Sequence, residues 1–362
     1  MKAAVCRAVG QIAVEQLDDP RPERGEVRLR MVATGVCRTD LSIFEGHLPV
    51  PMPIVLGHEG VGWVEEVGPG VVGLAVGDPV VCSIIAGCGA CFQCVRGASA
   101  LCEDVVFYTG RMLDGTTRLS KGVEPIHSLS YQASFAEQAI VPERCAVRVS
   151  KQAPLEKLAG LACGVSTGLG AALVRSPVEP GSTVVVIGAG GVGLSALMGG
   201  RLRGAASLIA VDVVPHKLEK ACELGLAEHG IDAGRTDVVE AVLELTGGRG
   251  AGHAFDTVGT PESIAQSLAA VRPGGSVVVI GLSGASVEAS IPVQHLMRQK
   301  TLTGTMGGSI EPRRHIPEFV DLHLAGRLDL GVLMDSEYRL EDIERAFLDL
   351  AEGRITRGVI RF

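Results

Sequence analysis

A chain of 362 residues with 46% hydrophobic and 20% charged residues can bury a large core, and that balance excludes global disorder. Its formal net charge of -8, with no dense Lys/Arg run, argues against nucleic acid or an anionic membrane surface as its partner. No segment supplies the long charge-free apolar run needed to cross a bilayer. The opening MKAAVCRAVG interrupts its apolar stretch at Arg7 and lacks a signal-peptide pattern, so a cytoplasmic protein is expected. Glycine, at 48 residues, stands at roughly double ordinary usage. That suits many tight turns between packed aliphatic strands.

Taken in chain order, the first 150 or so residues hold short β-like runs (EVRLRMVATGV, EGVGWVEEVG, DPVVCSII) punctuated by Gly, Pro and Asp, which read as an irregular, largely β domain. APLEKLAGLACGVSTGLGAAL, residues 153–173, turns to a helical composition. STVVVI at 182–187 reads as a buried strand, GAGGVG as a turn, LSALMGGRLRG as a helix, and SLIAVD, ending at Asp212, as the next strand. Pro215 opens a helix over PHKLEKACELG. Strands at HAFDTVG, GSVVVIG and TLTGT alternate with helices near 236–246 and 261–271, which predicts a mainly parallel, doubly wound α/β sheet. The tail from about 300 carries another helix and ends in RGVIRF, a strand able to return to the first domain.

Gly188, Gly190 and Gly193 form G-x-G-x-x-G between the strand and the helix, with Gly191 and Val192 completing the loop. The first glycine permits the turn, the second lets backbone amides approach a pyrophosphate, and the third brings helix against sheet. A plain tight crossover is the alternative. Asp212 follows at the end of the next strand, where its carboxylate would accept the ribose hydroxyls of NAD and repel the extra phosphate of NADP. Lys217 either reaches that nucleotide edge or stays solvated on its helix.

Cys88, Cys91, Cys94 and Cys102 follow C-x2-C-x2-C-x7-C. Four thiolates suit a tetrahedral structural zinc, and a filled shell leaves no position for substrate. An iron–sulfur cluster, a disulfide and free thiols are the competing readings; the ferredoxin run would continue with a three-residue gap and a proline. Cys37, His58 and Cys163 would make a Cys2His set with an open fourth position, but they lie far apart in sequence. Taken singly, a buried thiol, a turn-capping histidine and a helix-packing thiol describe them equally well.

GVCRTD, GHEGVGWVEEVG, CGACFQC with Cys102, ACGVSTG, GAGGVG and the terminal TRGVIRF occur in one order along nearly the whole chain. In this the sequence resembles the zinc-dependent medium-chain alcohol dehydrogenases, particularly their long two-zinc form. The resemblance implies a GroES-like β-rich catalytic domain at 1–154, a Rossmann coenzyme domain at 155–298, and a segment at 299–362 returning toward the first. It implies Cys37, His58 and Cys163 as ligands of a catalytic zinc, with Asp40 behind the histidine and Glu59 near the metal. Arg38 and Arg357 match positions associated with the coenzyme phosphates, and Thr167 one near the nicotinamide. Thr39 is implied as the hydroxyl that accepts the alcohol's proton, and Ser42 stands where a complete relay often has histidine. Two zincs per subunit, NAD, a small-molecule alcohol or aldehyde and a homodimer or homotetramer complete the expectation. Ile84, where the family places a pocket aromatic, and Cys163, where polyol enzymes often carry glutamate, favour a primary or hydrophobic alcohol. A polyol or cyclic-alcohol dehydrogenase is the nearest alternative, and a zinc-stabilised NAD-binding sensor the alternative of another class.

Overall fold

The computed structural model describes residues 1–105, 107–282, 284 and 286–362. It comprises two compact units, Met1–Cys163 with Glu311–Phe362, and Gly164–Ile310.

In the first unit the strand Glu26–Val36 is buried along most of its length, because it has neighbours on both edges. It pairs antiparallel with Gly60–Val67 and with the terminal strand Gly358–Arg361, while its first half also meets Gln138–Pro142. The sheet continues outward to Pro79–Cys82 and Ala146–Arg148 on one side and Ser336–Arg339 on the other. A second sheet runs Gln11–Gln16, Lys2–Ala8, Ile54–Val55, Glu124–Ser128, Leu119–Lys121. Val5, Ile54, Phe135, Phe347 and Ile360 share one buried cluster, so the tail contributes to the core of the N-terminal part. Phe135 and Phe347 meet edge to face at 6.1 Å.

In the second unit, six strands form a wholly parallel sheet ordered His229–Asp232, Ser207–Asp212, Thr183–Ile187, Ala251–Asp256, Val271–Val279, Thr301–Gly304. In chain order this is 3-2-1-4-5-6, the doubly wound arrangement that binds ligands where the strand order reverses. The mixed α/β class expected from periodicity is thus present. Val184, Val185 and Val186 are fully buried, as a central parallel strand requires. Helices Gly191–Leu202, Pro215–Glu223, Val238–Leu245 and Pro261–Ala270 alternate with the strands close to their expected bounds.

The helical composition at 153–173 does not give one helix. Short 3-10 turns at Leu155–Lys157 and Ala159–Ala162 precede Cys163, which leaves helical geometry at φ -143°, ψ -87° before helix Gly164–Gly170 begins. Composition overstated continuity here, because the break belongs to the placement of one thiol.

Candidate functional site

Cys37 ends the strand Glu26–Val36 and caps helix Arg38–Phe44 in extended geometry, at φ -104° and ψ 152°. His58 and Glu59 occupy the strip between Ile54–Val55 and Gly60–Val67, and Cys163 sits at the break just described. The fold brings these four together: one ligand atom from each lies within 4.8 Å of all the others.

Asp40 organises the group from the third position of the helix. It is fully buried, accepts from Gly57 N at 2.9 Å and Cys37 N at 3.3 Å, and lies 3.1 Å from His58 Nδ1. An ionised carboxylate only accepts, so Nδ1 donates to Asp40, and in the neutral ring the lone pair falls on Nε2. Burial alone would lower the His58 pKa, but Asp40, Cys37 and Cys163 outweigh it and hold the imidazole well above its usual range. The two thiols share a hydrogen bond. That bond, followed by the charge of His58, brings Cys37 well below the ordinary thiol range against the opposing effect of burial, while the same bond and burial push Cys163 well above it.

Two thiolates and an imidazole within this span fit zinc, whose ligands lie about 2.0–2.3 Å from the ion. Glu59, fully buried, is pushed up to about 7 by burial and by Cys37 against the pull of Arg357. Both of its oxygens accept from Arg357 Nη1, which comes from just before the terminal strand. Arg357 is itself buried, and its Nε finds no partner among the described residues.

Cys88, Cys91, Cys94 and Cys102 also converge within 4.8 Å. Cys88 Sγ and Cys94 Sγ are 4.0 Å apart, as are Cys91 Sγ and Cys102 Sγ. A zinc tetrahedron with metal–sulfur bonds of about 2.3 Å has sulfur edges of about 3.8 Å, so the donor set fits. The loop is built for thiolates: Ala90 N and Cys91 N donate to Cys88 Sγ at 3.4 and 3.3 Å, Cys94 N to Cys91 Sγ at 3.4 Å, and Cys88 N to Cys102 Sγ at 3.3 Å. Backbone donation from Glu103 and Cys94 brings Cys91 down to about 6, whereas burial pushes Cys94 up to about 12.

The second unit carries the glycine loop. Gly190 caps helix Gly191–Leu202 without a side-chain bond to its first amides, and there is open space where a Cβ at Gly190 would stand. At Gly193 a Cβ would overlap the Gly188 carbonyl oxygen, so that position enforces close packing. A glycine cradle at a helix N-terminus suits a phosphate. Asp212 straps the loop, accepting from Ala189 N at 2.8 Å and Val214 N at 3.0 Å, and each oxygen keeps a second lone pair. Lys217 is half-buried in the first turn of Pro215–Glu223, and Thr167 is half-buried in Gly164–Gly170.

Around the first site, Arg38 is exposed at the start of its helix, with Thr39 and Ser42 half-buried. His47, from the same loop, is exposed and lies 3.3 Å from Glu45. Ile84 N donates to Ala162 O at 3.3 Å, beside Cys163 in the chain. Sequence reasoning passed over Tyr108. Its phenol is pushed up by burial and lies in electrostatic range of His58, Cys163, Cys37 and Asp40. The adjacent Phe107 and Tyr108, 6.3 Å apart by ring centroids, were the available signal in a chain with only 3% aromatics.

Residues 23–151 match the family model of the alcohol dehydrogenase GroES-like domain, and residues 191–325 that of the zinc-binding dehydrogenases. The chain is 38% identical to an NDMA-dependent alcohol dehydrogenase of Amycolatopsis methanolica, across 99% of this chain and 98% of that one. It is 38% identical to a geraniol dehydrogenase of Castellaniella defragrans, across 100% and 97%. The crystal structure of benzyl alcohol dehydrogenase from Acinetobacter calcoaceticus superposes with a TM-score of 0.94 at 36% identity, covering 100% of this chain and 99% of that chain.

Proposed function

The chain belongs to the zinc-dependent medium-chain alcohol dehydrogenases, oxidoreductases of small-molecule alcohols, and from that premise we propose that it moves hydride reversibly between a primary or hydrophobic alcohol and NAD+. The observation that carries this reading is the convergence of Cys37, His58 and Cys163, with Asp40 fixing the histidine from behind. Zinc on those three residues supplies Lewis acidity that lets an alcohol hydroxyl give up its proton near neutral pH. NAD+ supplies the hydride acceptor.

The chain's own groups do the rest. Asp40 keeps the proton on His58 Nδ1 and so presents Nε2. Thr39 accepts the alcohol's proton at its hydroxyl, and Ser42, on the same short helix, is the next hydroxyl along. Glu59, gripped by Arg357, would be the carboxylate placed to assist ligand exchange at a metal held by Cys37, His58 and Cys163. Arg357 Nε, buried and unpaired among the described residues, fits a coenzyme phosphate oxygen, and Arg38 adds a second cation. Gly188, Gly190, Gly191, Val192 and Gly193 form the pyrophosphate cradle, Asp212 takes the ribose hydroxyls with Lys217 beside them, and Thr167 borders the nicotinamide. The second zinc, on Cys88, Cys91, Cys94 and Cys102, braces its loop.

The substrate class is supported by two relatives named for primary alcohols with an apolar body, geraniol and benzyl alcohol. An aliphatic Ile84, with Tyr108 in electrostatic range of the proposed ligands, adds to that support. Self-association through the coenzyme unit completes the proposal. Strand Thr301–Gly304 closes the sheet with one edge unpaired among the described residues, near in sequence to exposed Val293, Leu296 and Met297.

The test is a metal count on the purified protein coupled to an alcohol, aldehyde and polyol panel with NAD, NADP and NDMA as acceptors. Two zincs per chain and NAD-linked oxidation of primary alcohols are expected. Turnover confined to polyols, or seen with NDMA alone, would contradict the reading.

A further inference from the structure

Among the described residues five non-glycine positions hold a left-handed backbone, and three of them fall within four consecutive residues: Ser130 at φ 49°, Tyr131 at φ 61° and Ala133 at φ 52°. Such positions are strained and persist only where the surroundings over-determine them. All three are buried, and Gln132 between them is 1% exposed. The stretch SLSYQASF contains no glycine or asparagine to ease the turn. The backbone is therefore held against its local preference by what it touches.

What it touches is the strip carrying His58 and Glu59. Ser134 N donates to Gly57 O at 3.0 Å and Phe135 N to Leu56 O at 3.1 Å. Gly60 N donates to Gln132 Oε1 at 3.4 Å. The Ser134 hydroxyl pairs at 2.7 Å with Thr34, which is the strand partner of Gly60. The approach leaves no slack: at Gly57, φ 88°, a Cβ would stand 2.6 Å from Phe135 N and 2.7 Å from Ser134 Oγ. Asp40 grips the same strip through Gly57 N and His58 Nδ1. Gln132 Nε2, by contrast, is buried with no partner among the described residues. A carboxamide that leaves its donors unsatisfied is costly, and its formed contact is the one to Gly60.

We propose that the left-handed turn at 130–133, with Gln132 at its centre, is a positioning clamp that sets the His58–Glu59 strip for metal binding and turnover. The inference rests on the reading of Cys37, His58 and Cys163 as a metal set. Asp40 and the turn hold the strip by different contacts, and the strain in the turn keeps the Gln132 side chain and the amides of Ser134 and Phe135 aimed at one short segment.

The test uses the full-length protein loaded with cobalt(II), whose visible bands report the geometry of each pocket without turnover. Ala133→Gly relieves the left-handed strain, and Gln132→Ala removes the contact to Gly60. Ala133→Gly is expected to melt no lower than wild type while kcat falls about tenfold or more, since small misplacements of reacting groups are that costly. Its cobalt bands shift, and the sulfur-only bands of the four-cysteine pocket stay in place. Gln132→Ala shows the same kinetic loss with a lower Tm. Wild-type kcat and unshifted bands in Ala133→Gly would overturn the clamp, as would kcat and Tm falling in parallel in both variants. A wild-type protein that takes up cobalt only on the four cysteines would overturn the metal reading and the clamp with it.

Discussion

Replacing Asp40 separates what its carboxylate does for the fold from what it does for the metal. In Asp40→Asn one oxygen keeps the bonds from Gly57 N and His58 Nδ1, while the new NH2 faces Cys37 N, a donor that had an acceptor at 3.3 Å. One modest bond is lost, on the order of 1 kcal/mol. The larger change is removal of the negative charge behind His58, which lowers metal affinity about 10- to 100-fold, or roughly 1.4–2.8 kcal/mol. Asp40→Ala strands all three donors in a fully buried place, at about 1–3 kcal/mol each before relaxation, enough to threaten a typical domain. The assay is zinc retention against a graded chelator series, followed by urea melts. The four-cysteine pocket serves as an internal reference within each sample. Asp40→Asn is expected to lose one zinc early with a near-normal melt, and Asp40→Ala to lose both stability and that zinc. An Asp40→Asn protein that holds both zincs as tightly as wild type would refute the reasoning.

Cys91→Ser is expected to release the four-cysteine zinc and lower the Tm while the surviving folded protein keeps most of its kcat, measured by metal count, calorimetry and active-site-normalised rates. Gly193→Ala drives a Cβ into the Gly188 carbonyl oxygen, so coenzyme affinity falls at least about tenfold in titration calorimetry; tight binding in that variant would remove the glycine loop from the site. Glu15 is held down at about 2, first by hydrogen bonds from Arg7, so its ionised form stabilises the fold above about 4.5 and that contribution fades as pH falls toward about 2. Glu15→Gln therefore costs on the order of 1 kcal/mol near neutrality, discounted because the Arg7 side chain is 32% exposed, and the gap to wild type closes on acidification in pH-series melts.

The sequence alone determined the features that repeat at short range. Strand and helix periods placed the parallel sheet, the G-x-G-x-x-G loop fell between its strand and helix, and three-residue steps collected Cys88, Cys91 and Cys94. Such patterns are local, because each is built by neighbours along one stretch of backbone. The proposed metal set was readable only through family resemblance, since no periodicity connects Cys37, His58 and Cys163. Their meeting depends on strand pairings between distant segments and on a helical break at Cys163 that composition hid. Tertiary structure also decided that Arg357 holds Glu59 across 298 positions, that Tyr108 comes within electrostatic range of His58 and Cys163, and that a strained turn at 130–133 contacts the His58–Glu59 strip. Those contacts join side chains and backbones from separate elements, and only closing the sheets brings them within reach.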